Sequence, residues 1–423
     1  MTDFLERRRQ RVAAALDLND EVLLVGAGGP IGIPGGADQV FHYVAHSDYF
    51  FLTDRELPGG VVAYDAKSGW MDFVPEVTTA ERVWEGKTDN PGTPLSKLAG
   101  WLAERRGRPL AALGCPIAGI VGDAARAPDI AQSLLHARRP KDDVELERMR
   151  AAAAATAPGY AAAKRVVQAG ITERQISIEL ECAFMRHGAD RVAYDTIVAS
   201  GPNSAVLHFM PTARVIQPGE HVLIDAGVAI NRYVSDVTRT YRAPGGDDAM
   251  FRDLYNVVLA VEEHAITQCT AGCEWQDVHL AAAVGIVTGL VALGFMKGNP
   301  QSLVETEAHT LFFPHGLGHL VGLGVRDGSG RAPGRAPSKR PGLSTLRADL
   351  PLLRGYAITV EPGVYFIPAL INNREHRERY KDAVVWDRVE AMFAFGGIRI
   401  EDNVVITDGA PEVLTAAIPK ALD

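Results

Sequence analysis

The sequence predicts an α+β chain, with a larger C-terminal part of mixed helices and strands behind a smaller α/β domain. Three observations carry this. Strand-like and helix-like segments alternate at the start. A polar, proline-containing stretch, Arg138–Val144 (RRPKDDV), then interrupts the pattern. Beyond it, helices are grouped between strands instead of alternating with them. At 423 residues the chain is longer than one typical domain, and the boundary falls between domains 1–140 and 141–423.

Taken in order, MTDFLERRRQRVAAAL reads as a charged amphipathic helix without the apolar core of an export signal. Glu21–Gly26, Tyr49–Leu52 and Gly60–Tyr64 are short apolar or β-branched runs between turn residues, and read as strands. Leu95–Arg106 has helical spacing and stops at Gly107. After the boundary comes a long alanine-rich helical stretch that Pro158 is expected to break in two. Thr172 with Gln175 forms a capping box opening another helix, which Gly188 closes. Strands are expected at Thr196–Ala199, His221–Val228, Arg232–Tyr241, Ala357–Glu361 and Ile398–Ile406, and helices at Ala249–Cys269 and Gln276–Leu293. Gly328–Gly342, rich in Gly, Pro and Arg, reads as a long binding loop or lid.

Composition excludes several function classes. With 47% hydrophobic and 22% charged residues the chain fills a core and is not disordered. A net charge of -9 argues against a nucleic-acid or anionic-membrane partner. The longest uncharged run, Leu280–Met296, is interrupted by Gly285, Gly289 and Gly294 and reads as a buried helix, not a membrane span. Four cysteines form no disulfide framework, and Cys269 and Cys273 lack a second pair for structural zinc. A reduced, cytoplasmic setting is expected.

The chemistry concentrates in acids placed where solvated residues are unexpected. Asp225 lies in the apolar strand VLIDAGVA and Asp236 in YVSDVTRT. A turn centred between Ile230 and Asn231 would set them face to face across a hairpin. Glu361 lies in ITVEPGVYF and Glu401 in GIRIEDNVVIT, while FFPHGLGH is a glycine-rich turn carrying His315 and His319. Taken singly, each has an ordinary alternative: a solvated face for an aspartate, a plain loop for a histidine, or Arg399 as partner for a buried glutamate. Together they point to one site. Each pair of carboxylates at ~4 Å repels by about 4 kcal/mol at an effective dielectric of 20, and two divalent cations cancel four negative charges. Oxygen donors with one imidazole favour Mn²⁺ or a similarly hard ion. Such a pair supports hydrolysis.

In order and wording, LIDAG, VSDVTRT, PHGLGH, TVEPGVYF and GIRIEDNVVIT resemble the metal-site segments of the pita-bread metallopeptidases, a family that includes methionine aminopeptidase, aminopeptidase P, prolidase and creatinase. The resemblance implies a pita-bread catalytic domain in which Asp225, Asp236, His319, Glu361 and Glu401 hold two divalent ions per chain, Mn²⁺ first with Co²⁺ or Zn²⁺ as alternatives. HSDYFFLT is similar to a segment of the N-terminal domain of the prolidase and aminopeptidase P branch. SAVLHF places His208 at a substrate-binding position, and GLSTLR places Arg347 where prolidases grip a dipeptide's terminal carboxylate. The insert between Tyr365 and Gly396 is also prolidase-like.

The resemblance therefore implies an Xaa-Pro dipeptidase (prolidase), acting on Xaa-Pro dipeptides as a homodimer. In it Glu361 relays the proton of the attacking hydroxide, His208 and His315 hydrogen-bond the intermediate, and Arg399 orients Glu361 or Glu401. Tyr365 and Arg399 are expected on the substrate side of the site. One residue departs from the family pattern: in GLGVRD, Arg326 stands where a substrate-binding histidine is expected. The rivals are an aminopeptidase P acting on longer peptides, a metal-independent creatinase-like amidinohydrolase, and a non-catalytic binding protein. The intact ligand set argues against the last two.

Overall fold

The computed structural model describes residues 3–123 and 125–422. Two compact units divide between Arg138 and Arg139.

The first unit is built on a five-stranded mixed sheet, in the order Thr93–Pro94, Gly69–Val74, Val61–Asp65, Val22–Gly26, Leu110–Gly114. Strand Val22–Gly26 pairs antiparallel with the central strand Val61–Asp65 and parallel with the edge strand Leu110–Gly114. Val22, Leu24, Val61, Ala63 and Phe73 pack with Leu98 and Trp101 to form its core. Tyr49–Leu52, expected as a strand, lies instead in the helix Ser47–Thr53. All four of its apolar residues are buried, so no alternation separates strand from helix. The ends decide: His46 caps the Asp48 N–H, and Asp54 closes the turn in the left-handed region at φ 56°. The helix expected at Leu95–Arg106 is a 3₁₀ turn, Leu95–Lys97, running into Leu98–Ala103.

In the second unit one helix runs unbroken from Asp143 to Val166 with Pro158 inside it, correcting the expected break. Pro158 gives up one hydrogen bond, but the helix is pinned on both sides of it. Thr156 bonds the Ala152 carbonyl at 2.9 Å and Ser235 Oγ at 2.6 Å. Gly159 lets Phe184 of the neighbouring helix in so closely that a Cβ there would sit 2.1 Å from the ring. That neighbour, Glu173–Arg186, starts at the expected Thr172–Gln175 capping box, and Gly188 follows at φ 90°.

Strands Val237–Arg242, His221–Ala226 and Ile197–Ser200 form an antiparallel sheet in that order. The hairpin turns at Asn231 and Arg232, at φ 47° and 74°, the left-handed pair of a two-residue hairpin turn. Its centre lies one residue beyond the expected one, so Thr238, not Asp236, stands opposite Asp225. A two-residue slip preserves the face, and both aspartates still point to one side. The expected strand Ile398–Ile406 is likewise two pieces, Gly397–Arg399 and Asp402–Val405, with Glu401 at the break.

The helices Ala249–Gln268 and Trp275–Ala292 bury the largest apolar cluster against the strands that follow. The second is long and apolar enough to cross a membrane, but its Trp275, Ala283, Ile286 and Leu290 are core residues. The pair approach closely at Gly289, where a Cβ would lie 2.4 and 2.5 Å from the two methyls of Val257. Gly289→Ala should therefore destabilise the protein by about 1–3 kcal/mol, although alanine is the better helix former by ~1 kcal/mol. Val257→Ala in the same background should restore most of the loss in urea unfolding. A neutral Gly289→Ala would contradict the packing.

Candidate metal centre

The site begins with backbone pairing. The turn PHGLGH is zipped to the edge of strand Ala357–Val360: the Thr359 N–H donates to the His319 carbonyl at 2.9 Å, and the Glu361 N–H to the Leu317 carbonyl at 2.8 Å. Gly318 makes this possible, because a Cβ there would overlap the Thr359 carbonyl at 1.9 Å. His319 is thereby set beside Glu361. Glu401 joins from its strand break, its N–H donating to the Thr238 carbonyl at 3.0 Å.

All five expected ligands come together. His319 Nε2 lies 3.4 Å from Asp236 Oδ2 and 3.7 Å from Glu361 Oε1. Donor atoms of Asp236, His319 and Glu401 lie within 4.8 Å of one another. Tyr194 Oη lies 2.6 Å from Asp225 Oδ1 and 2.5 Å from Asp236 Oδ1. One hydroxyl proton serves only one of these oxygens, so this corner is short of positive charge.

Arg399 is the fixed cation of the cluster. It donates to Asp225 Oδ2 at 2.6 Å, Tyr365 Oη at 2.9 Å and Thr238 Oγ1 at 3.1 Å. Its direct partner is thus Asp225, in place of the expected Glu361 or Glu401, and it reaches Glu401 only through Thr238, whose hydroxyl donates to Glu401 Oε2 at 2.6 Å. One arginine does not balance four acids. Burial first, then the neighbouring carboxylates, push Asp236 and Glu401 well above the usual carboxylate range. Burial raises Glu361 to about 7.

This donor set fits divalent cations. His319 Nδ1 meets the Leu320 carbonyl at 3.2 Å, which fixes the proton there and leaves the Nε2 lone pair facing the acids. Burial holds His319 down to about 4, so the ring is neutral. Carboxylates that hold protons because they are buried and crowd one another are sites that metal ions can neutralise.

A cavity of about 960 Å³ opens over this floor, with His208, His315, Arg326 and Arg347 on its walls. Both arginine side chains are exposed and make no ion pair among the described residues. Asp327 does not partner Arg326; it takes Lys141 Nζ at 2.8 Å and the Leu323 N–H at 3.0 Å. His315 has both ring nitrogens engaged, Nδ1 with the Gly316 carbonyl and Nε2 with Tyr365 Oη, each at 2.9 Å. Tyr365 is fully buried behind the wall, not on it, and supports His315 and Arg399. Three further residues build the site. Tyr194 bridges the aspartates, Thr238 links Arg399 to Glu401, and Asn403 grips Asp236 through its N–H at 2.9 Å and carbonyl at 2.7 Å. Thr238 in VSDVTRT and Asn403 in EDNVV, each two residues past an expected ligand, carried a local signal, and Tyr194 carried none.

Residues 147–408 match the model of metallopeptidase family M24. A probable Xaa-Pro aminopeptidase of Fusarium vanettenii is 30% identical over 88% of this chain and 83% of its own. An Xaa-Pro dipeptidase of Xanthomonas campestris pv. campestris is 36% identical over 71% of this chain and 70% of its own. The solved aminopeptidase PepP of Pseudomonas aeruginosa superposes with a TM-score of 0.78 at 26% identity, covering 99% of this chain and 96% of that one. With the zipped turn, the acid floor and these likenesses together, the chain belongs to the pita-bread metallopeptidases of family M24, in the branch that holds the prolidases and aminopeptidases P.

Proposed function

We propose that the chain is a dinuclear-metal Xaa-Pro peptidase that prefers dipeptides. One observation carries the preference: Arg326 and Arg347, unpaired among the described residues, stand on the wall of a cavity floored by the metal donors. A short peptide brings its free C-terminal carboxylate to such a wall, and a longer one carries it past. The names of the relatives support Xaa-Pro cleavage. Likeness to aminopeptidases P over nearly the whole chain supports a second reading, in which longer Xaa-Pro peptides are the substrates.

Asp225, Asp236, His319, Glu361 and Glu401 would hold the ions, Mn²⁺ first and Co²⁺ or Zn²⁺ as alternatives. When bound, these supply Lewis acidity and neutralise the acids. The protein's own groups do the rest. Glu361 takes the proton of the attacking water and returns it to the proline nitrogen as the C–N bond breaks. His208, with no hydrogen-bond partner among the described residues, is placed to donate to the oxygen of the tetrahedral intermediate. Arg399 and Thr238 hold Asp225 and Glu401 in position, and Arg347 takes the prolyl carboxylate.

The purified enzyme should bind two divalent ions per chain, and Asp236→Asn should abolish turnover while leaving the fold intact. In metal-free protein the raised carboxylates bind more protons folded than unfolded. Their stabilising contribution is complete below the unfolded carboxylate range, near pH 4, and is lost as pH rises through the folded values, about 7 for Glu361. The Tm of metal-free protein should fall between pH 5 and 8, and Mn²⁺ should restore it most at the upper end. A flat metal-free profile, or full Ala-Pro hydrolysis after metal stripping, would refute this account.

Ala-Pro should be cleaved in preference to Ala-Pro-Ala. A bidentate arginine–carboxylate contact is worth ~1.5–3 kcal/mol, roughly 10- to 150-fold in kcat/KM. Arg347→Ala should raise KM for Ala-Pro and narrow the gap between the two substrates. Equal losses on both would favour the longer-peptide reading.

A further inference from the structure

Behind the cavity lies a buried polar cluster that the mechanism does not use. His279, on the core helix Trp275–Ala292, is fully buried. Its Nδ1 accepts the Leu317 N–H at 3.2 Å, and its Nε2 meets the Gly342 carbonyl at 3.0 Å. The tautomer follows: only an Nε2–H ring serves an N–H on one side and a carbonyl on the other. Burial holds this ring down to about 4, so it is neutral at working pH. On the other face of Gly342, its N–H donates to Glu307 Oε2 at 2.7 Å, and Glu307 Oε1 takes Arg340 Nε at 2.7 Å. Both backbone groups of Gly342 are therefore held by buried side chains. A Cβ at 342 would lie 2.4 Å from His309 Nε2 and 2.7 Å from Glu307 Oε2.

The two segments that His279 joins are functionally distinct. Leu317 belongs to the turn that carries His315 and His319. Gly342 lies in the short helix Pro341–Ser344, which leads to Arg347 on the cavity wall. The segments also meet in front, where a Cβ on Gly316 would lie 3.2 Å from Leu346 Cα. We infer that His279 is a positioning residue: it ties the loop bearing Arg347 to the turn bearing the metal-site histidines, and so sets the span over which a dipeptide is measured. This rests on the dipeptide reading of Arg347; the tie itself does not.

The test combines kinetics with amide hydrogen exchange on full-length protein. His279→Leu should speed exchange in both 315–319 and 340–347. It should also raise KM for Ala-Pro about 10-fold with kcat within about twofold and metal content unchanged. His279→Gln, which still donates and accepts, should recover most of both effects. The double variant H279L/R347A should be no worse on Ala-Pro than R347A alone, since both remove the same contact. Because His279→Leu buries two unpaired backbone groups and risks general destabilisation, Gly342→Ala serves as the second probe. It leaves His279 in place, moves the loop by steric overlap, and should reproduce the KM effect. Unchanged exchange in both segments, or multiplicative losses in the double variant, overturns the inference. If wild-type enzyme prefers Ala-Pro-Ala while exchange still rises in both segments, the dipeptide reading falls and the tie stands.

Discussion

Four carboxylates are packed around one neutral imidazole, and among the described residues only one fixed cation, Arg399, touches them. Asp225 alone has it as a direct partner, and Glu401 receives its influence through the Thr238 hydroxyl. Asp236 has no cation of its own: Tyr194 shares a hydroxyl between it and Asp225, and Asn403 holds its backbone. An arrangement this short of positive charge persists only if the surrounding backbone leaves it no relaxation. The rest of the catalytic unit is understood from that requirement.

Rigidity comes from backbone-to-backbone pairing at places where side chains would obstruct it. Gly318 lets the histidine turn lie on the Thr359 carbonyl, and Gly227 lets the hairpin close on the Ser235 carbonyl, where a Cβ would stand 2.0 Å away. Each close approach is next to a ligand or two residues from one. The left-handed turn at Asn231 and Arg232 fixes the register that carries Asp225 and Asp236 to one face. A strand broken at Glu401 frees that carboxylate to turn inward while its backbone stays bonded to Thr238. The ligand positions are thus set by main-chain hydrogen bonds, which are insensitive to the protonation of the acids they carry.

The ligands were legible because burying a carboxylate in an apolar strand without a partner is costly enough to need a reason. Four such cases in one chain, with a glycine-rich histidine turn, reduce to one explanation. The register was less legible. The hairpin's turn lay one residue further on than expected, and nothing in INRY distinguishes the two centres until the left-handed pair is seen. Tyr49–Leu52 was misread because a fully buried run has no period. Pro158 was misread because the contact that holds the helix together, Gly159 against Phe184, spans 25 residues. Tyr194 meets its partners at separations of 31 and 42 residues, and Thr238, although inside VSDVTRT, meets Glu401 at 163, so no local pattern assigns these contacts. Spacing showed that Arg399 was near the acids, but only the fold shows that its direct contact is Asp225 and that it reaches Glu401 through Thr238.

Arg326 shows how a single departure acts on such a floor. Its neighbour Asp327 is occupied by the buried Lys141, so among the described residues no acid draws the guanidinium away from the cavity it lines. Its field reaches the ligands: it adds to the burial that holds His319 down, and it partly offsets the burial that raises Glu361. A histidine at this position would supply positive charge only while protonated, whereas arginine supplies it throughout the working range. The cavity therefore sets a permanently cationic wall, Arg326 with Arg347, over a floor whose charge depends on what it binds. With the acids neutralised by metal, those walls dominate the field inside, and an anionic end group is the part of a peptide they attract most strongly.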